Sequence, residues 1–108
     1  MQKFTMAAAA TIALTFAHGA GAADPKSAET LATNHGCVAC HTVDKKLVGP
    51  GFKEVAAKYR NDKAAAANLV QKVKGGGNGA WGDIPMPPNS HLKDEDIKAL
   101  VEWILALK

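Results

Sequence analysis

Cys37, Cys40 and His41 carry the most reactive chemistry in this sequence, and they stand together as Cys37-Val38-Ala39-Cys40-His41. Two thiols three positions apart, with an imidazole directly after, can serve several chemistries. A redox dithiol is usually set in a βαβ surround, and no such pattern flanks this one. A structural zinc site needs four ligands; His35 and His41 could join the two thiols, but they crowd the same turn. The third reading is C-x-x-C-H, the attachment sequence of a c-type haem. The two thiols can reach two vinyl groups on one edge of a porphyrin and form thioethers. The imidazole can then swing under the iron as an axial ligand. The spacing favours haem, with the dithiol, a zinc site and a plain disulfide as alternatives.

A haem held by His41 has a second face to fill. The candidates are Met86, His35, His91, a lysine, or no protein ligand at all. His35 lies on the His41 side of the chain and cannot easily cross. Met86 stands in Pro85-Met86-Pro87-Pro88, and the other methionines, Met1 and Met6, lie at the extreme N-terminus. A methionine that fills a core gap normally sits on an apolar helix face, where its flexible chain adapts. One fenced by prolines is poorly placed for that and well placed to be held still. The residues therefore point to Met86 as the second iron ligand, with His91 or an open position as alternatives. His/Met ligation raises the potential and blocks oxygen and peroxide, leaving one-electron transfer. An open or labile position would instead suit a haem enzyme or a gas sensor.

The elements that must position these residues read as helices. Of the 108 residues, the first 22 resemble a secretory leader: Lys3, an apolar run from Phe4 to Ala17, then the small residues Ala20-Gly21-Ala22. Cleavage after Ala22 is expected, leaving residues 23–108 as one small domain outside the cytoplasm. Without Lys3 the remainder has 12 basic and 10 acidic residues. That balance is too even to imply nucleic acid, and nothing in it calls for membrane insertion. So small a domain buries little apolar surface and needs a staple or a large prosthetic group to complete its core.

Asp24-Pro25 starts a helix carrying Ala28, Leu31 and Ala32 on one face and ending near Gly36. Phe52 to Tyr59 places Phe52, Val55, Ala56 and Tyr59 at helical spacing. Asn61 or Asp62 can cap a third helix that runs to Val73. The glycines at 75–77 and 79 end it, as a hinge or as a close backbone approach. Ile97, Leu100, Val101, Ile104 and Leu105 form the face of a last helix, with Asp94, Glu95 and Asp96 in its first turn, where the dipole favours them. No stretch alternates with period two for long enough to make a strand, so the domain is all-α.

Taken together, "GCVACH", "VGPGFKEVAAKY", "GAWGDIPMPPN" and "LVEWILALK" resemble the short bacterial class I cytochromes c of the c-551/c-552 type, from about Asp24 to Lys108. The resemblance implies about four short helices around one covalently bound, low-spin haem c held by two thioethers from Cys37 and Cys40, with His41 and Met86 on the iron. It implies that the Pro50 carbonyl accepts from the His41 ring, that Trp81 bonds a haem propionate, and that the Asn89 amide touches the Met86 sulfur. Lys72 falls where relatives place a basic residue near a propionate. Lys93 stands where relatives often have a capping Ser or Thr, which shifts the expected cap to Asp94. The implied role is a monomeric periplasmic electron carrier rather than an enzyme. A bc1-type complex or quinol dehydrogenase would be its donor, and a nitrite reductase or terminal oxidase its acceptor. Docking is expected at the exposed haem edge near Lys45 and Lys46.

Overall fold

The structure, a computed structural model, describes residues 25–108. The expected leader, residues 1–22, lies outside them. Four helices follow in order: α1 (Pro25–Asn34), α2 (Phe52–Tyr59), α3 (Ala65–Gly75) and α4 (Asp94–Leu105), with a 3₁₀ turn at Cys37–Ala39 between α1 and α2. Among the described residues there are no strands, only two isolated antiparallel bridges, His41 with Lys46 and Gly77 with Met86. The all-α expectation holds.

α4 is the organising element and packs against α1, α2 and α3. Its stripe at 97, 100 and 101 is fully buried, and Ile97 is 0% exposed. Burying side chains of that size contributes roughly 1.5–3 kcal/mol each. Ala32 of α1 and Leu92, just before α4, complete the cluster, with Leu69, Val70 and Val73 of α3 leaning on it. Alanines at 28 and 32 on α1, both 1% exposed, leave no side-chain bulk to hold that helix away from α4. Trp103 sets the edge of its ring on Phe52 of α2, with centroids 5.6 Å apart.

The helix ends show why the chain turns where it does. Gly36 takes a left-handed φ of 77° after α1, a conformation that costs glycine nothing. The Asp62 carboxylate accepts from the Ala64 N–H at 2.9 Å in the turn ahead of α3, but the cap position of α3 is Ala64, with no side-chain cap, so the expected cap at Asn61 or Asp62 is corrected. At α4 the expectation is corrected. Lys93 occupies the cap position in extended backbone with no side-chain cap. Asp94 instead reaches sideways to Lys74 Nζ at 2.7 Å. The tie joins α3 to α4 on the surface, where such pairs contribute about 0–1 kcal/mol.

Candidate functional site

The site begins with the folded loop after Cys40. The Gly49 N–H donates to Cys40 O at 2.8 Å, and the Phe52 and Lys53 N–H groups donate to Thr42 O and Val43 O at 2.8 and 2.9 Å. The Thr42 hydroxyl donates to Lys45 O at 2.6 Å while accepting the Lys45 N–H at 2.9 Å. These bonds bring the 49–51 turn back over His41. The His41 Nδ1 lies 2.7 Å from Pro50 O. A carbonyl can only accept, so Nδ1 carries the proton, and in the neutral imidazole the lone pair is left on Nε2. Such a contact fixes the tautomer, orients the ring and raises its basicity as a ligand. The ring is also stacked on Phe52, with centroids 5.1 Å apart and planes 19° apart.

Gly49 is part of this arrangement. A Cβ there would lie 2.6 Å from His41 Cε1 and 3.0 Å from its Nδ1, closer than non-bonded atoms can come. Only a residue without a side chain lets the turn close on the imidazole. The Gly49-Pro50-Gly51 punctuation was legible as a turn, but its fit to the ring was not.

Opposite in sequence, the Met86 segment is held on both sides. The Met86 N–H donates to Gly77 O at 2.8 Å and the Gly77 N–H donates to Met86 O at 3.0 Å. Pro85, Pro87 and Pro88 have no N–H to offer, so Met86 makes the only backbone donation that residues 85–88 can make. Gly76, at φ 68°, lies so close that a Cβ would sit 2.8 Å from Pro88 N and 2.9 Å from Pro87 C. Of this glycine run, Gly76 makes a close approach, to the Met86–Pro88 backbone rather than to a flat group, while a Cβ at Gly75 or Gly79 would meet nothing within 4 Å.

Asn89 closes the other side: its N–H donates to Val73 O and Lys74 O at 3.1 Å. Its side-chain Nδ2 donates to Val73 O and Pro87 O, both at 3.2 Å. Both amide hydrogens are thus directed to carbonyls. The resemblance implied an amide aimed at the Met86 sulfur; here Asn89 ties the loop to the end of α3.

Cys37, Cys40, His41, Pro50, Trp81 and Met86 all line one cleft of about 240 Å³. Asn89 stands behind its wall. Lys46 and Lys72 reach the rim. Val48, Trp81 and Ile84, which also line the cleft, are exposed apolar side chains, Ile84 at 64%. Apolar surface gathered around one opening marks a binding site. Trp81 is held from above by Lys58, whose Nζ lies 4.5 Å from the ring centroid and donates to Ala80 O at 3.2 Å. The sequence groups Lys58 with the lysines of the segments expected around the haem, as solvated surface or part of a positive docking face, and carries no signal for its contact with Trp81.

The donor set suits a flat, iron-bearing ring. Both cysteines are free thiols, one imidazole offers Nε2, one thioether belongs to a braced loop, and the walls are largely apolar. Burial pushes the Cys37 thiol above its ordinary value, an effect only partly offset by a backbone hydrogen bond. A catalytic dithiol needs a lowered thiol, so this shift argues against that alternative. Among the described residues there is no group of three or more His, Cys, Asp or Glu able to hold a metal, which argues against the zinc site.

Comparison with known proteins agrees with the fold and the motif. The sequence profile of the family described as "Cytochrome c" matches residues 25–108. Cytochrome c-551 of Allochromatium vinosum is 58% identical over 77 residues, covering 71% of this chain and 82% of that protein. Cytochrome c-552 of Nitrosomonas europaea is 54% identical over 78 residues, covering 72% of this chain and 76% of that protein. The crystal structure of wild-type Nitrosomonas europaea cytochrome c552 superposes with a TM-score of 0.72 at 52% identity, over 74% of this chain and 99% of the other.

Proposed function

The chain belongs to the cytochrome c family, in its c-551/c-552 class, and from that premise we propose that it is a periplasmic mono-haem electron carrier, exported through a leader cleaved after Ala22. The observation that carries the proposal is convergence. Two free thiols, an imidazole with Nε2 left over and a braced methionine all line one cleft.

Haem c, when bound, supplies the one-electron couple. Cys37 and Cys40 would carry it through two thioether bonds, on a 3₁₀ turn that packs against α1. His41 would present Nε2 to the iron while its Nδ1–H stays on Pro50 O. That bond lends the imidazole electron density without a proton leaving the pair. Met86 would supply its thioether sulfur as the second ligand. Thioether ligation raises the potential, and a bond that weak needs the support that Gly77 and Asn89 give the loop. Trp81 would place its indole N–H at the rim toward a propionate, with Lys58 fixing the ring's position. Phe52, Val55, Leu100 and Val101 would exclude water from the apolar wall.

Ligands braced in this way favour the same coordination in both oxidation states, and so little rearrangement when an electron moves. Lys45 and Lys46, exposed on the loop next to His41, supply a weakly positive docking face for an acidic redox partner. By family analogy the donor is a bc1-type complex or quinol dehydrogenase and the acceptor a nitrite reductase or terminal oxidase.

The alternative, a haem enzyme or gas sensor, requires Met86 to leave the iron readily. An absorption spectrum of the protein from its host decides between the two. A carrier gives low-spin spectra in both states, a weak sulfur-to-iron band when oxidised, and no carbon monoxide adduct. Rapid carbon monoxide binding by the reduced native protein refutes the carrier, and absence of any haem band refutes both.

A further inference from the structure

Two histidines outside the cleft stand beside one another. His35 follows α1 and His91 precedes α4, and their rings lie 6.3 Å apart between centroids, tilted by 57°. Among the described residues neither ring makes a hydrogen bond or ion pair. Both are carried on braced backbone. The His35 N–H donates to Leu31 O at 3.0 Å, and Gly36 then turns the chain. His91 sits in the turn closed by the Leu92 N–H on Asn89 O at 3.1 Å, and Leu92 is anchored in the core at 5% exposure. His35 is half-buried and His91 is exposed, so an ion could reach both from solvent.

We propose that His35 and His91 form a surface site for a divalent transition-metal ion that prefers imidazole, with copper(II) held more tightly than nickel or zinc. Imidazole nitrogen binds such ions at about 2.0–2.1 Å, so one shared ion allows ring centroids up to roughly 6.5 Å apart. The observed separation, 6.3 Å, lies inside that reach and near its limit, where the two nitrogens stand across the ion from one another, as in the trans positions of a square-planar copper(II) site. Water fills the remaining positions. The ion joins the segment two residues ahead of Cys37 to the turn that follows Asn89, and so ties together the two loops that flank the cleft.

The test is titration of copper(II) into the oxidised, haem-loaded protein, whose spectrum first verifies the haem reading independently. With haem attached, Cys37, Cys40 and His41 do not compete. One copper per chain is expected, with nitrogen splitting from two imidazoles in its paramagnetic resonance spectrum. His35→Phe and His91→Phe keep an aromatic ring at each position, so any loss of affinity reports a lost ligand rather than lost packing. Each is expected to weaken binding at least ~10-fold. Saturating zinc should raise the thermal midpoint of the unaltered protein and leave that of either variant unchanged. Unaltered copper affinity in both variants, or a copper spectrum without two nitrogens, overturns the site.

Discussion

Met86 and Gly77 exchange a pair of backbone hydrogen bonds, 2.8 and 3.0 Å long, and through them the thioether and the glycine-rich stretch after α3 form one rigid unit. The prolines alone would stiffen the Met86 segment without telling it where to lie. The pairing with Gly77, the close approach at Gly76 and the bonds from Asn89 supply the location.

Gly76→Ala is therefore expected to break the unit. The φ of 68° is strained for alanine, and the new Cβ meets the Met86–Pro88 backbone. A stability loss of roughly 1–3 kcal/mol is expected, together with loss of the sulfur-to-iron band, read by thermal unfolding and absorption. Gly75→Ala is the control. A Cβ there meets nothing within 4 Å and the position is helical, so a gain of about 0.5–1 kcal/mol is expected.

Met86→Ala should leave haem attachment intact, because the thiols belong to a different segment. The potential should fall by on the order of a tenth to a few tenths of a volt, a fraction of the ~0.8 V that axial ligands command. The reduced protein should then bind carbon monoxide. A variant with an unchanged potential and spectrum removes Met86 from the iron.

Lys58→Gln should loosen Trp81. It loses the cation over the indole and the bond to Ala80 O, and the first of these is worth about 0.5–1 kcal/mol at an exposed ring. The indole N–H resonance of Trp81 is expected to broaden and the thermal midpoint to fall slightly. Lys58→Arg should preserve both readouts. Equal behaviour of the two variants would show that Lys58 does not position the ring.

Neutralising Lys45 and Lys46 together should slow association with an acidic redox partner by up to ~10-fold at low ionic strength and flatten the salt dependence. Stopped-flow transfer rates across a salt series measure both. Rates and slope equal to those of the unaltered protein would place docking elsewhere on the surface.

Much of this was legible in the residues themselves, because the signals are local. Helical spacing placed α2 at Phe52–Tyr59 and identified the buried stripe of α4, since apolar periodicity reports which face meets a core. The thiol spacing and the following histidine pointed to the haem chemistry of the family, because two bonds to one ring edge and a ligand beneath it would constrain neighbours in sequence. The fencing prolines singled out Met86, the iron ligand proposed above, by an equally local pattern.

The tertiary structure decided what depends on partners distant along the chain. Asp94 reads as a cap by type and position, yet Lys74 stands near enough to draw its carboxylate aside. The glycine run after α3 permits either slack or close contact, and only the arrival of Met86–Pro88 beside Gly76 selects contact. Gly49 reads as a turn residue until the His41 ring is seen filling the space where a side chain would be. Lys58 over Trp81 and His35 beside His91 have no signature at all in one dimension. Each pair is made by helices and turns meeting around α4, and such meetings are set by the packing of the whole core rather than by any stretch of sequence within it.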